Sequence, residues 1–246
     1  MKAPLFETEA ALCAAFLVWV KAEGGKVKYG SRTPVWTPYA ETAGWDILLV
    51  AEDGTQIGVQ AKQKFNMKVL SQCLPDRWSS WNDRGPDYRA VLVPDLDRSH
   101  ADICAALGLM LITGKRGYGG DPEFTPGLDM EHCEGWHYWN QARRCDLPEF
   151  VPDVPAGASG PVQLTKWKIA ALRVAATLQV RGHVTRQDFK EIGIDHRRWV
   201  GPGDWIKPGD VPGQYVRGSG LNFDTQHPDV YAQVLAEVSA KLEAKQ

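Results

Sequence analysis

Residues 44–63 read GWDILLVAEDGTQIGVQAKQ, two short apolar runs on either side of an acidic glycine turn. Asp46 in the first run, and Gln60 and Lys62 in the second, are polar where a buried strand would be apolar. Pairing the runs across Glu52-Asp53-Gly54, with Gly54 supplying the positive φ of a three-residue loop with a bulge, sets Ile47 opposite Val59 and Leu49 opposite Ile57. One face is then apolar. On the other face Asp46 lies against Gln60, with Lys62 one diagonal step away. A two-residue loop would put Asp46 opposite Ala61 and send Lys62 to the other face, so the hydrophobic pattern selects the register that gathers the polar groups.

Working outward, Leu5, Glu9, Leu12, Phe16 and Trp19 or Val20 follow a helical spacing, Thr8 or Glu7 serves the first turn, and Gly24-Gly25 stops the helix. The spacing predicts a helix from about Thr8 to Ala22. KVKYG reads as a short strand, WDILLV as a second and QIGVQAK as a third, followed by a helix at NMKVLSQCL, a buried strand at YRAVLVPD, a helix at SHADICAALG and a strand at LMLIT. This α-β-β-β-α-β-α-β order implies an α/β fold, a mixed sheet with helices on its faces.

A carboxylate, an amide and an ammonium at a strand end suit phosphodiester hydrolysis. Carboxylate, amide and carbonyl oxygens hold a hard Mg²⁺ ion, and a lysine orients or helps deprotonate the attacking water. Lysine suits the task because its pKa is easily lowered, whereas arginine stays protonated. The pattern of Asp46 followed by Gln60-Ala61-Lys62 resembles the Q-x-K variant of the PD-(D/E)xK nuclease superfamily, and the element order from Thr8 to about Thr113 is similar to its restriction endonuclease-like α-β-β-β-α-β core. The resemblance implies a metal held by Asp46, by Gln60 where many members carry Asp or Glu, and by the backbone carbonyl of Ala61, with Lys62 as the catalytic lysine. Many members add a first-helix glutamate, which Glu9 matches on the apolar stripe, with Glu7 as the alternative. Glu41, in a loop ahead of Asp46, is a further candidate to face metal or substrate. The implied cofactor is Mg²⁺, with Mn²⁺ also admissible, and the implied substrate is DNA. Gln60 takes one negative charge from the site, which predicts weaker metal binding or binding only with DNA present.

The 246-residue chain, 43% hydrophobic, is long enough for one large domain or two small ones. No apolar run is long enough to span a bilayer, and acidic residues precede the first helical pattern, so the expectation is no signal peptide and no membrane anchor. Five scattered cysteines, Cys13, Cys73, Cys104, Cys133 and Cys145, argue for a reducing compartment, the cytoplasm, and against a disulfide framework. Within EHCEGWHYWNQARRC, His132, Cys133, His137 and Cys145 raise a zinc reading, but their spacing is not that of a standard finger and packing explains them as well. Lys115-Arg116 and Arg143-Arg144 suit either phosphate contact or solvation, and Gln72 either the site or solvent.

Asp146–Gln163, DLPEFVPDVPAGASGPVQ, reads as a linker, giving a nuclease-like domain over residues 1–150, a linker over 151–163 and a second domain over 164–246. From Pro161 onward there are 12 Lys+Arg against 9 Asp+Glu, and 16 against 21 before it, so the second part is the mildly basic one. TKWKIAALRVAATLQVRG is a helix stopped by Gly182, and VTRQDFKEIGI repeats the pattern with Thr185 as N-cap. DHRRWVG begins a third helix or a turn, the Pro/Gly-rich GPGDWIKPGDVPGQYVRGSG is a hairpin, and PDVYAQVLAEVSAKLEAKQ is an amphipathic helix. This is the outline of a small, mainly helical, winged-helix-like domain. Around its turn, Arg186, Gln187, Lys190, His196, Arg197 and Arg198 are candidates for phosphate and base-edge contacts, while Trp199, Trp205 and Tyr215 suit its core. The alternative use of the domain is packing or self-association as a homodimer. Two functions follow: a Mg²⁺-dependent deoxyribonuclease whose C-terminal domain positions DNA, or an inactive nuclease-fold protein that binds nucleic acid or a protein partner as a regulator.

Overall fold

In a computed structural model that describes residues 5–28, 31–75, 84–117, 119–130, 134–157, 164–200 and 204–244, the chain forms two units. One comprises Met1–Leu147 with Pro155–Pro161, and the other Pro148–Val154 with Val162–Gln246. The Pro-rich stretch is thus divided between them.

The first unit opens with α1, Glu9–Glu23, whose N-cap Thr8 accepts the Ala11 N–H and so satisfies one of the orphan donors of the first turn. Leu12, Cys13, Phe16 and Val20 form its buried stripe. KVKYG does not supply the first strand of the main sheet. Val27–Lys28 (β1) pairs with Ser31–Arg32 (β2) as a separate ribbon. The first strand of the sheet is β3, Trp36–Thr42, which pairs antiparallel with β4, Trp45–Ala51. Pro38 hides β3 from a propensity reading, yet the strand is at the sheet edge, where a missing N–H is tolerated. Glu41 therefore belongs to a strand, not a loop.

β4 pairs with β5, Gln56–Ala61, in the register that sets Ile47 opposite Val59 and Leu49 opposite Ile57, and Gly54 takes φ 82° in the loop. After β5 come α2, Met67–Cys73, β6, Tyr88–Val93, α3, Arg98–Ala106, β7, Met110–Arg116, and a short β8, Pro122–Thr125. β5, β6 and β7 run parallel through the helical crossovers, and β8 closes antiparallel on β7. The result is an α/β unit built on a six-stranded mixed sheet in the order β3-β4-β5-β6-β7-β8.

Alternation along β4 sends Leu48 and Val50 to the face covered by Val69, Leu70 and Cys73 of α2 and Cys104 of α3. Ile47 and Leu49 take the opposite face; α1 packs against β3, β5 and β8, with Phe16 edge-on to Phe124 at 5.2 Å. Gly58 is fixed by packing: a Cβ there would stand 2.4 Å from the Trp45 ring.

In the second unit α4, Lys166–Arg181, runs from N-cap Thr165 to Gly182 at φ 82°. β9, Val184–Thr185, leads into α5, Arg186–Ile192, through a capping box in which Thr185 and Asp188 satisfy each other's backbone N–H. Where the outline needs a third helix, the described residues form one 3₁₀ turn, His196–Arg198. Gly201-Pro202 lies too close to Asp195 for a longer helix, and Trp199, 1% exposed, is drawn into the core against Phe189 and Phe223. Trp205 and Tyr215 pack half-buried beside it. β10, Ile206–Pro208, and β11, Gln214–Arg217, join β9 in an antiparallel sheet of order β10-β11-β9, and α6, Phe223–Gln226, precedes α7, Pro228–Glu243. Asp153 tethers the Pro148–Val154 stretch to this unit by accepting the N–H groups of Asp229 and Val230 and pairing with His227 Nδ1 at 2.8 Å.

Among the described residues no helix is long and apolar enough to cross a membrane. Cys13, Cys73, Cys104 and Cys145 are free thiols.

Candidate active site

At the end of β5 three elements bring charged groups together. Lys62, just past the strand, places Nζ 2.7 Å from Glu9 Oε1 in the first turn of α1 and 3.9 Å from Asp46 Oδ2 near the start of β4. These side chains are 21%, 27% and 16% exposed respectively, so the trio is reachable yet mostly desolvated.

Asp46 arrives there because it leaves the ladder. Its pairing with β3 skips from Ala40–Ile47 to Thr42–Trp45, and its pairing with β5 ends at Ile47–Val59. Glu41 and Asp46 are the skipped pair, and Glu41 adopts φ 49°, an uncommon conformation for a residue with a side chain. The Ala61 N–H, left without a backbone partner on β4, donates to Asp46 Oδ2 at 2.8 Å. This local break aims the carboxylate at Lys62.

The electrostatics follow from burial. The Asp46 carboxyl lies above the ordinary carboxylate value chiefly because it is desolvated; the Ala61 N–H and Lys62 pull it down, and Glu9 pushes it up again. One turn after Glu9, the fully buried Cys13 thiol is pushed up to about 12, first by burial and then by the negative field of Asp46, Glu9 and Glu41, with Lys62 opposing. Glu41 Oε1 accepts the Gly157 N–H at 2.9 Å. No pattern in the sequence announces that contact, because Gly157 lies in the Pro/Gly-rich stretch.

Gln60 departs from the expected placement. With Asp46 out of the ladder, the two do not pair, and no hydrogen bond joins Gln60 to Asp46 or Lys62. Its Nε2 donates to the Gly44 carbonyl at 2.6 Å, and its Oε1 is buried without a hydrogen-bond partner among the described residues. An orphaned buried oxygen is costly unless something else satisfies it. Asp46 and Glu9 are oxygen donors of the kind a hard divalent cation takes, although no three His, Cys, Asp or Glu side chains among the described residues form a metal-holding group. Ala61, fully buried, contributes its N–H to Asp46.

The remaining candidates separate. Glu7 is exposed. His132 and Cys133 lie outside the described residues; His137 packs edge-on to Trp139 at 5.5 Å, and the Cys145 N–H donates to Gln56 Oε1. Lys115 pairs with Glu123 and Arg144 with Asp87, while Arg116 and Arg143 are exposed. In the second unit Arg186, Gln187, Lys190, Arg197 and Arg198 are exposed and His196 is half-buried. Several of these are engaged locally, Arg197 with Asp195 at 3.0 Å, Gln187 with Glu191 and Arg186 with the Tyr215 hydroxyl. Set against protein-family models, curated proteins and solved structures, the chain matches none.

Proposed function

We propose that this chain is a divalent-metal-dependent nuclease of the PD-(D/E)xK kind, in its Q-x-K form, that hydrolyses DNA phosphodiester bonds, with a winged-helix-like second unit that positions the DNA. The observation that supports it is the meeting of Lys62 with Glu9 and Asp46, contributed by three different parts of the first unit. Asp46, Glu9 and Gln60 would hold Mg²⁺ or Mn²⁺, which supplies Lewis-acid stabilisation of the charge that develops on the scissile phosphate. Lys62 orients the attacking water and offers a positive group to the phosphoryl oxygens. The Ala61 N–H keeps Asp46 aimed, so a well-placed carboxylate does not depend on substrate for its orientation. In the second unit the order helix, strand, helix, turn and hairpin supports the winged-helix-like reading, with the basic residues around Arg197 as phosphate contacts.

The test is cleavage of linear, branched and modified DNA with Mg²⁺ or Mn²⁺. The wild type is expected to cut and Lys62→Ala to cut nothing while it folds and binds DNA as before. Failure of the wild type on every substrate with both metals overturns the proposal. A second reading, a binding protein without turnover, draws on the 2.7 Å Lys62–Glu9 pair, which occupies both groups, and on the neutral residue at position 60. Mn²⁺ titration separates the two, since the enzyme reading requires binding that is lost in Asp46→Ala.

A further inference from the structure

In the first unit a buried cation has no carboxylate partner among the described residues. Arg89, on β6, is 4% exposed. Its Nη1 donates to the Cys73 carbonyl at 2.7 Å, while its Nε is buried with no hydrogen-bond partner among the described residues. The guanidinium carbon lies 4.3 Å from the centroid of the Trp139 ring and 6.0 Å from that of Trp45, and among the described residues no carboxylate pairs with it. Burial works against this charge and draws its pKa below the ordinary arginine value. A guanidinium nevertheless keeps its proton, so the fold carries a desolvated charge that stacking on tryptophan compensates only in part.

That charge borders open space. Arg89 lines a cavity of about 470 Å³ together with Gly44, Trp45, Gln72, Arg84 and Gly85, a volume within the range of small-molecule sites. Gly85 matters by what it lacks: a Cβ there would stand 2.7 Å from Arg89 Nη2, and that nitrogen donates to no acceptor among the described residues. Arg84 adds a second cation at the rim, paired with Asp146. The Gly44 carbonyl that holds Gln60 belongs to the same wall.

We propose that this cavity is a phosphate subsite in which Arg89 receives a phosphoryl group, either an internal diester of a bound strand or the phosphomonoester of a strand end or free nucleotide. The guanidinium fork suits two oxygens of one phosphate, and the buried setting strengthens the bonds. The anion chemistry rests on Arg89 itself; its identity as phosphate rests on the nuclease reading.

The test uses the full chain carrying Lys62→Ala, so that DNA stays intact, without divalent metal. Inorganic phosphate, thymidine 5′-monophosphate and a short oligonucleotide with or without a 5′-phosphate are titrated, with tryptophan fluorescence and calorimetry as readouts. One site is expected, and adding Arg89→Lys, which keeps charge but loses the fork, or Gln72→Glu, which sets a carboxylate on the wall, should weaken binding on the order of tenfold. Gln72 is exposed, so its variant decides the matter if Arg89→Lys misfolds by circular dichroism. Arg89-dependent oligonucleotide binding that is equal with and without the terminal group identifies an internal diester, and dependence on that group identifies a monoester. Binding unchanged by the variants, or no binding of any probe, overturns the subsite. Cleavage by wild type without Arg89-dependent binding sinks the subsite alone, whereas Arg89-dependent binding by a protein that cuts nothing sinks the nuclease reading alone.

Discussion

Replacing Lys62 with methionine removes the ammonium that lies 2.7 Å from Glu9 and 3.9 Å from Asp46 and leaves the stem volume nearly unchanged. Exposed ion pairs contribute up to about 1 kcal/mol, and stripping one partner from a buried pair costs about 3–5 kcal/mol. With the three side chains between 16% and 27% exposed, the trio belongs between these limits, and a loss of about 2 kcal/mol at pH 7 is expected. For a unit of this size that lowers the melting temperature by about 4–8 °C. The sign with pH is fixed by Asp46. Its folded-state pKa is raised above the ordinary 3.8, so the fold binds that proton more tightly than the unfolded chain does. Ionisation of Asp46 therefore costs stability as pH climbs from 3.8 through the raised value, and that cost vanishes below 3.8. Methionine removes one of the two influences that pull the carboxyl down, so the penalty extends to higher pH. Differential scanning calorimetry at pH 7 and near pH 4 should show the larger deficit at pH 7. An equal deficit at both values, or a methionine variant more stable than wild type at pH 7, would refute the reasoning, the latter by showing that the ammonium itself is the burdensome buried charge.

Gly58→Ala drives a Cβ to 2.4 Å from the Trp45 ring within a paired strand that cannot yield, and a cost of about 1–3 kcal/mol or more is expected in guanidinium unfolding; an unchanged midpoint contradicts the packing. Cys13, buried and with its thiol at about 12, should resist iodoacetamide at pH 8 until the protein unfolds, as peptide mass spectrometry would read; rapid labelling in the native state contradicts the enclosed site. Gln60→Glu removes the donor to the Gly44 carbonyl, which should cost about 1–3 kcal/mol without metal. The same change adds a carboxylate and should tighten Mn²⁺ binding, on the order of tenfold, in calorimetric titration; unaltered Mn²⁺ affinity would remove Gln60 from the metal set.

The strand register was legible because it rests on a rule with little freedom. A one-residue slip moves Ile47, Leu49, Ile57 and Val59 from the core to the other face, so their pattern admits one pairing. Glu9 was legible for the same kind of reason, since helical spacing puts it one turn before Cys13 on the stripe that packs against the sheet. What escaped lies where local rules are broken. Pro38 masks β3, and at its end Glu41 takes a backbone conformation that propensity counts against. That irregularity is tied to the site: the skipped Glu41–Asp46 position frees the Asp46 carboxylate to take the Ala61 N–H and face Lys62. Strict continuation of the ladder would instead have set Asp46 against Gln60, the arrangement that alternation alone implies.

The shortened third helix and the Gly157 contact escaped for a different reason. Trp199 is buried by the core of its unit rather than carried on a helix that its own segment could sustain, and Gly157 meets Glu41 across more than a hundred residues of chain. Neither has a period to read. Arg89 belongs to this group as well: within YRAVLV an arginine looks like an interruption of a buried strand, and only the tertiary placement of Trp139, Gly85 and the adjoining cavity gives its charge a use. Fold is thus read from regularity in this chain, and the proposed chemistry collects at the interruptions, Asp46 out of its ladder, Gln60 with an oxygen unpartnered among the described residues and Arg89 with a charge likewise unanswered, and under the proposed reading a bound cation or phosphate would offset these costs of the free protein.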